Sequence, residues 1–182
     1  MGNKVEQGDY AMAAVIGLDS KKIEDVCQKM RENGKFVVPA NYNYSAQTVI
    51  SGYEDVIEEI MEVLKEQGAK RVIKLNTSGP FHTEKLNEAK RLYEKELEKV
   101  KFEKGNVKVI KNLDGQYYKD EDNMVDILSK HIVSSVRFDK MMKKMVEDGI
   151  DTFYEIGPGK ALSGFVKKEI KDANVVSISN VE

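Results

Sequence analysis

Apolar and polar positions along the first 77 residues predict alternating strands and helices. Residues 11–18 form a continuous small apolar run that is typical of a buried strand. Asp19 and Ser20 then offer an N-cap, and apolar residues recur at helical spacing until Gly34, where the helix is predicted to end. A second amphipathic helix is predicted over about residues 53–67, followed by a strand over residues 71–75.

A hairpin is predicted between these two helices. Residues 36–38 and 48–50 are short β-rich pieces that flank the polar segment Asn41-Tyr42-Asn43-Tyr44-Ser45, which we interpret as the turn. The resulting order over residues 9–77 is β-α-β-β-α-β. This is the order of the ferredoxin-like split motif.

Residues 78–182 show a different order of elements. The pattern predicts a charged helix over residues 83–100, a strand over 107–110, helices over 124–132 and 138–146, a strand over 152–156, another helix and a closing strand over 175–178. This alternation indicates a mainly parallel sheet covered on both faces. Three strands make a poor open sheet, so we expect this half to be part of a larger α/β domain.

Composition narrows the class of protein. Lys and Arg number 29 and Asp and Glu number 31, whereas a nucleic-acid binder would show a basic excess. Cys27 is the single cysteine, which excludes an internal disulfide and favours a reducing, cytoplasmic location. No apolar run approaches the ~20 residues that a membrane span requires. With two histidines and one cysteine, a structural zinc site is not expected.

His82 is the first candidate for chemistry. The sequence contains no G-x-S-x-G elbow, no P-loop and no G-x-G-x-x-G motif. His82 follows the turn Ser78-Gly79-Pro80-Phe81, which delivers the chain into a helix, and this position suits a general base. The alternative is a surface histidine at the start of a helix.

Two further clusters each allow a functional and a structural interpretation. Asn41, Asn43 and Gln47 could offer amide donors and acceptors to a bound polar group, or could serve ordinary Asx-turn chemistry. The turn at residues 157–159, Gly-Pro-Gly, could bind an anion through backbone amides, or could simply make a tight turn.

Five segments in order, at fitting separations, resemble one known family. They are A-M-A-A-V-I-G-L over residues 11–18, N-x-N-x-x-x-Q-x-V-I-S-G over 41–52, S-G-P-F-H over 78–82, S-V-R-F over 135–138 and E-I-G-P-G-K-x-L-x-G over 155–164. Together they resemble the malonyl-CoA:acyl carrier protein transacylases of type II fatty acid synthesis. Similar segments occur in acyltransferase domains of polyketide synthases.

The resemblance implies an α/β fold with an α+β insert. Residues 1–77 would form the ferredoxin-like small subdomain, and residues 78–182 would form the C-terminal part of the large α/β-hydrolase-like acyltransferase subdomain. The family carries a nucleophilic Ser in a G-H-S-x-G elbow, an Arg that holds the malonyl carboxylate and an N-terminal Gln motif. None of these three elements is in this sequence, so we expect it to be the C-terminal portion of a transacylase.

The resemblance also assigns roles in a ping-pong acyl transfer. His82 matches the family's general base, and the backbone carbonyl at His131 would orient it. Family members usually have Gln at the position of His131, so a plain helix-end histidine remains the alternative there. Asn43, with Asn41 and Gln47, matches the substrate-binding turn of the insert.

The expected partners are malonyl-CoA, acyl carrier protein and the missing N-terminal acyltransferase portion, with no cofactor, metal, nucleic acid or membrane. The sequence alone also permits a second function, a non-catalytic module that binds acyl carrier protein or a pantetheine arm.

Overall fold

The computed structural model describes residues 9–77 and 79–179, so Ser78 of the predicted turn lies outside the described residues. Seven strands and six helices occur in this part of the chain. In chain order they are β1 (Tyr10–Ile16), α1 (Ser20–Glu32), β2 (Val37–Tyr44), β3 (Gln47–Tyr53), α2 (Glu54–Glu66), β4 (Arg71–Lys74), α3 (Asn87–Leu97), α4 (Met124–Val133), β5 (Val136–Arg137), α5 (Phe138–Glu147), β6 (Thr152–Ile156), α6 (Ala161–Glu169) and β7 (Asn174–Ile178). No described helix combines the length and apolar character needed to cross a membrane.

The first part of the chain has the predicted order β-α-β-β-α-β. Its strands form an antiparallel sheet in the order β4-β1-β3-β2, and α1 and α2 pack their apolar stripes on one face. The side chain of Asp19 accepts a hydrogen bond from the amide of Lys21 at 2.9 Å, as expected of an N-cap. Gly34 follows the helix with φ of 77°, a conformation that glycine adopts without steric cost.

The predicted hairpin is present, but its turn is displaced. β2 continues through Asn41 and Asn43 to Tyr44, and the turn is formed by Ser45 and Ala46. The polar composition of residues 41–45 suggested a turn, yet Tyr42 and Tyr44 are buried and extend the strand. Two register shifts in β2 accommodate this pattern and re-aim its side chains.

A short strand from the second part joins the same sheet. β5 pairs in parallel with β2, with Asn41 opposite Val136 and Tyr42 opposite Arg137. This strand was not predicted, because two residues are too few to show a periodic pattern. Since β5 follows α4 directly, the pairing fixes the end of α4 against the edge of the sheet.

The second part departs from the prediction in three places. The helix predicted over residues 83–100 begins with a 3-10 turn, Glu84–Leu86, and is α-helical only over α3. Residues 107–110 do not form a strand, because they have no neighbouring strand and only one bridge joins Ile110 to Tyr117. The parallel sheet consists of β6 and β7, and it is not covered on both faces, since Tyr154 and Ile156 are 63% and 70% exposed.

Candidate active site around His82

A strained turn presents the His82 side chain. His82 has φ of 60° and is the one non-glycine residue of the described chain with positive φ. Such a conformation costs roughly 1–2 kcal/mol for an L-residue, so neighbouring contacts must hold it. Thr83 is buried and provides two of them: its hydroxyl donates to the carbonyl of Pro80 at 2.8 Å and accepts from the amide of Lys85 at 3.3 Å.

The two histidines of the chain lie together. Nδ1 of His82 is 3.1 Å from the backbone carbonyl oxygen of His131. That carbonyl belongs to the last turn of α4, where helix carbonyls have no partner within the helix. Because a carbonyl can only accept, Nδ1 of His82 carries the proton, and Nε2 is left as the acceptor. Within the described residues, Nε2 of His82 makes no hydrogen bond.

His82 lies between two cavities of different character. One has a volume of about 520 Å³ and a polar lining that includes Lys21, Glu24 and Arg31 of α1. The other, of about 660 Å³, is an apolar groove between α3 and α4. We call the first the polar cavity and the second the apolar groove. A base at this junction can reach a polar reactant while one side of the site is shielded from water.

A hydrogen-bonded tyrosine in the polar cavity was missed by the sequence analysis. The hydroxyl of Tyr42 donates to the carboxylate of Glu24 at 2.8 Å, and the guanidinium of Arg137 stacks on the Tyr42 ring at 4.0 Å. Burial, followed by the hydrogen bond to Glu24, raises the pKa of the Tyr42 hydroxyl well above its usual range. Tyr42 therefore stays a neutral donor. Arg137 was within a quoted motif, but the stacking depends on the β2–β5 pairing.

The three predicted amide residues lie on the two strands of the hairpin. Asn41 and Asn43 are half-buried within β2, and Gln47 begins β3. None of them lines the polar cavity or the apolar groove. Of the five predicted site residues, His82 and His131 are in direct contact, and both line the apolar groove.

The first turn of α6, which follows the Gly-Pro-Gly turn, is already occupied by a carboxylate of the chain itself. Glu155 accepts hydrogen bonds from the amides of Leu162 and Ser163, at 3.1 and 2.8 Å, at the start of α6. A hydrogen bond from the Ser163 hydroxyl, followed by those from the two amides, lowers the pKa of Glu155, so it is an anion at neutral pH. The structural interpretation of this turn is therefore favoured over an anion site.

Other potential centres of chemistry are weak. Ser163 is buried, and its hydroxyl lies 2.8 Å from that of Ser177, away from either histidine. Burial raises the pKa of the Cys27 thiol to about 12, which leaves it protonated and unreactive. Among the described residues, no three metal-ligating side chains lie together.

Comparison with known proteins shows the family to which the chain belongs. The sequence model of the acyl transferase domain family matches residues 3–181, and the chain belongs to that family. It is 37% identical, over all 182 residues, to the malonyl CoA-acyl carrier protein transacylase of Bacillus subtilis. It is 34% identical to the protein of the same name from Staphylococcus aureus over the same 182 residues, which are 59% of that protein's length.

Solved structures of such proteins have the same fold. The malonyl CoA-acyl carrier protein transacylase of Clostridium perfringens superposes on the whole chain with a TM-score of 0.93 at 39% identity. A malonyl-transacylase in complex with a type II PKS acyl-carrier protein superposes on 98% of the chain with a TM-score of 0.91 at 28% identity. The chain spans 57% of the length of the Bacillus subtilis relative and of each of these two structures.

Proposed function

We propose that this chain is the C-terminal portion of a malonyl-CoA:acyl carrier protein transacylase and supplies the general base, His82, for acyl transfer. The observation that carries the proposal is the hydrogen bond from Nδ1 of His82 to the carbonyl of His131. It leaves Nε2 as the acceptor that a serine hydroxyl requires. The malonyl-CoA and acyl carrier protein named for the relatives are the proposed donor and acceptor of the acyl group.

In the proposed mechanism His82 acts twice. Nε2 takes the proton of a serine hydroxyl as the oxygen attacks the thioester carbonyl of malonyl-CoA, and the proton then goes to the departing CoA thiolate. In the second half, Nε2 takes the proton of the carrier's pantetheine thiol as the thiol sulfur attacks the serine ester, and the proton then goes to the departing serine oxygen, which restores the hydroxyl and leaves the malonyl group on the carrier. The imidazolium that forms each time lies at the carbonyl end of α4, where the helix dipole favours a cation.

The serine must come from another segment, because the sequence contains no G-x-S-x-G elbow. The uncovered apolar surface of the second part supports such a partner segment. Tyr154, Ile156 and Val176 are exposed on β6 and β7, and Phe81 and Leu92 are exposed at the apolar groove. Two strands alone make a marginal sheet, so further strands and helices are expected beside them.

The subdomain assignment forms part of the same proposal. The strand order β4-β1-β3-β2 with both helices on one face supports a ferredoxin-like unit over residues 9–77. The parallel pair β6–β7 with α6 supports the end of a larger α/β subdomain. Asn41, Asn43 and Gln47, on the hairpin strands β2 and β3, remain proposed substrate contacts.

The experiment that tests the proposal restores the missing portion. The N-terminal part of the Clostridium perfringens relative is fused to this chain, and transfer of malonyl from CoA to acyl carrier protein is measured. His82→Ala should lower the rate by ~100-fold or more, as expected for the loss of a general base. His131→Gln should have a much smaller effect, because the backbone carbonyl is retained. A larger loss for His131→Gln than for His82→Ala would reject the assignment.

The unfused chain provides the control. Incubated with malonyl-CoA, it should gain no malonyl mass, because it lacks the elbow serine. A covalent malonyl adduct on the unfused chain would contradict the proposed division of the site. A fusion that binds acyl carrier protein but never transfers malonyl would favour the non-catalytic binding module instead.

A further inference from the structure

The side chain of His131 lies in an unusual environment for an imidazole. It lines the apolar groove together with Leu128 and Ile132 of its own helix. Its Nε2 atom is buried and has no hydrogen-bond partner in the described structure. A buried polar atom without a partner costs roughly 1–3 kcal/mol, and a buried charge without one costs more. The groove therefore tolerates the neutral ring and disfavours the charged ring.

The charged groups around the ring, taken together, also favour its neutral form. Burial lowers the pKa of the His131 imidazole, and the nearby His82 lowers it further. Two residues of the long loop before α4 also face it, with opposite effects: Asp114 raises the pKa and Lys111 lowers it.

The helices that pack around the ring provide no free counter-ion. On α4 itself, Lys130 pairs with Asp126 at 2.7 Å. On α3, Lys90 pairs with Glu94 at 2.6 Å, and Glu96, which lines the groove, pairs with Lys99 at 2.7 Å. The chain thus holds the His131 ring neutral at physiological pH.

We infer that the neutral His131 side chain is a positioning group for His82, and that protonation of this ring disturbs the contact between His82 and the His131 carbonyl. The inference rests on the proposed function, because it gives His82 the role of base. The side chain and the accepting carbonyl belong to the same residue, in the last turn of α4. A cationic ring would leave the apolar groove for solvent or for Asp114, and the carbonyl would move with it.

The chain has two histidines, so nuclear magnetic resonance can follow both rings individually. We expect the Cε1–H signal of His131 to titrate below the ordinary histidine range. We expect the His82 signal to show an inflection at the same pH. In His131→Gln, which keeps the carbonyl and cannot titrate, the His82 signal should lose that inflection.

Asp114→Asn provides a second variant that leaves both histidines in place. The backbone amide of Gln116 donates a hydrogen bond to the Asp114 carboxylate at 2.9 Å. The side-chain oxygen of Asn can accept the same hydrogen bond, so the loop should keep its shape. Removing the carboxylate should move the His131 titration, and the matching His82 inflection, to lower pH. In the fused enzyme, the acid limb of the transfer-rate profile should move in the same direction.

Two results would overturn the inference: a His131 ring that titrates at or above the ordinary range, or a His82 signal that does not respond when His131 titrates. These signals do not depend on acyl transfer. If the fused enzyme transfers malonyl but the two rings titrate independently, only this inference fails. If the rings are coupled but His82→Ala leaves transfer intact, the proposed function fails.

Discussion

Residues 9–77 contain 22 of the 26 buried hydrophobic residues of the described structure, whereas residues 79–179 contain four. The large exposed hydrophobic side chains are distributed in the opposite way, with 13 of 14 in residues 79–179. The first part therefore has a core of its own, and the second part presents apolar surface that this chain does not cover. The proposed base belongs to the second part, so its position depends on contacts with the first.

Many of the contacts between the two parts involve β2. β5 pairs with the edge strand β2, and the hydroxyl of Ser135 donates to the carbonyl of Pro39 at 2.7 Å. Tyr44 at the end of β2 packs against Met142 and Val166. The part with a core of its own thus supports the part that carries the proposed base.

Backbone amide exchange should give the largest contrast between the two parts. Amides of β1 and β3 should exchange only on global unfolding, whereas those of β6 and β7 should exchange through local opening. Exchange measured by mass spectrometry on the isolated chain tests this difference. Fusion to the N-terminal portion of a relative should slow β6 and β7. Equal protection throughout the isolated chain would refute the contrast.

A matched pair of isoleucine substitutions compares the two cores directly. Ile60→Ala, at a fully buried position of α2, should lower the free energy of unfolding by about 2–5 kcal/mol. Ile156→Ala, at a position 70% exposed, should change it by less than about 0.5 kcal/mol. Denaturant unfolding of both variants provides the measurement. A comparable loss for Ile156→Ala in the isolated chain would mean that the β6–β7 face is already packed.

The Ser135 hydrogen bond tests how firmly the parts are joined. Ser135→Ala leaves the Pro39 carbonyl without this donor and should cost about 1 kcal/mol of stability. Ser134→Ala is the control, because the Ser134 hydroxyl makes no hydrogen bond within the described part of the chain. Equal effects in thermal unfolding would show that this contact does not join the two parts.

The smallest expected effect is a pH dependence. The folded-state pKa of His131 lies below its unfolded value of about 6.5, so the unfolded chain binds the proton more readily. The native chain should therefore lose stability relative to His131→Gln as the pH falls below about 6.5, and the two should respond alike above that pH. Denaturant midpoints at pH 7.5 and 5.5 measure this difference. A native chain that gains stability relative to the variant on acidification would reverse the sign.

Helices and strands were predicted best from the sequence where local signals agree with tertiary packing. Asp19 caps α1 as expected, and α1, α2 and the strands β1 and β4 lie close to their predicted places. Residues 107–110 show the opposite case. Their alternation suits a strand, but no strand lies beside them, and Val107 and Val109 are exposed. A strand requires a partner, which a single segment cannot reveal.

The two histidines of the candidate site were predictable from the sequence, but the geometry around them was not. His82 was found from its motif, and the family resemblance pointed to His131. Thr83 and Tyr42 were missed, since their roles depend on a strained turn and on pairing between distant strands. The displaced hairpin turn has the same origin: Tyr44 stays in β2 because α5 and α6 pack against it.

The left-handed backbone of His82 sets stability against activity. Glycine occupies a φ of 60° without steric cost, whereas histidine there costs roughly 1–2 kcal/mol. A screen of position 82 for thermal stability alone would thus favour His82→Gly, the variant that removes the proposed base. At this position, selection for a more robust protein and selection for a working one lead to different residues.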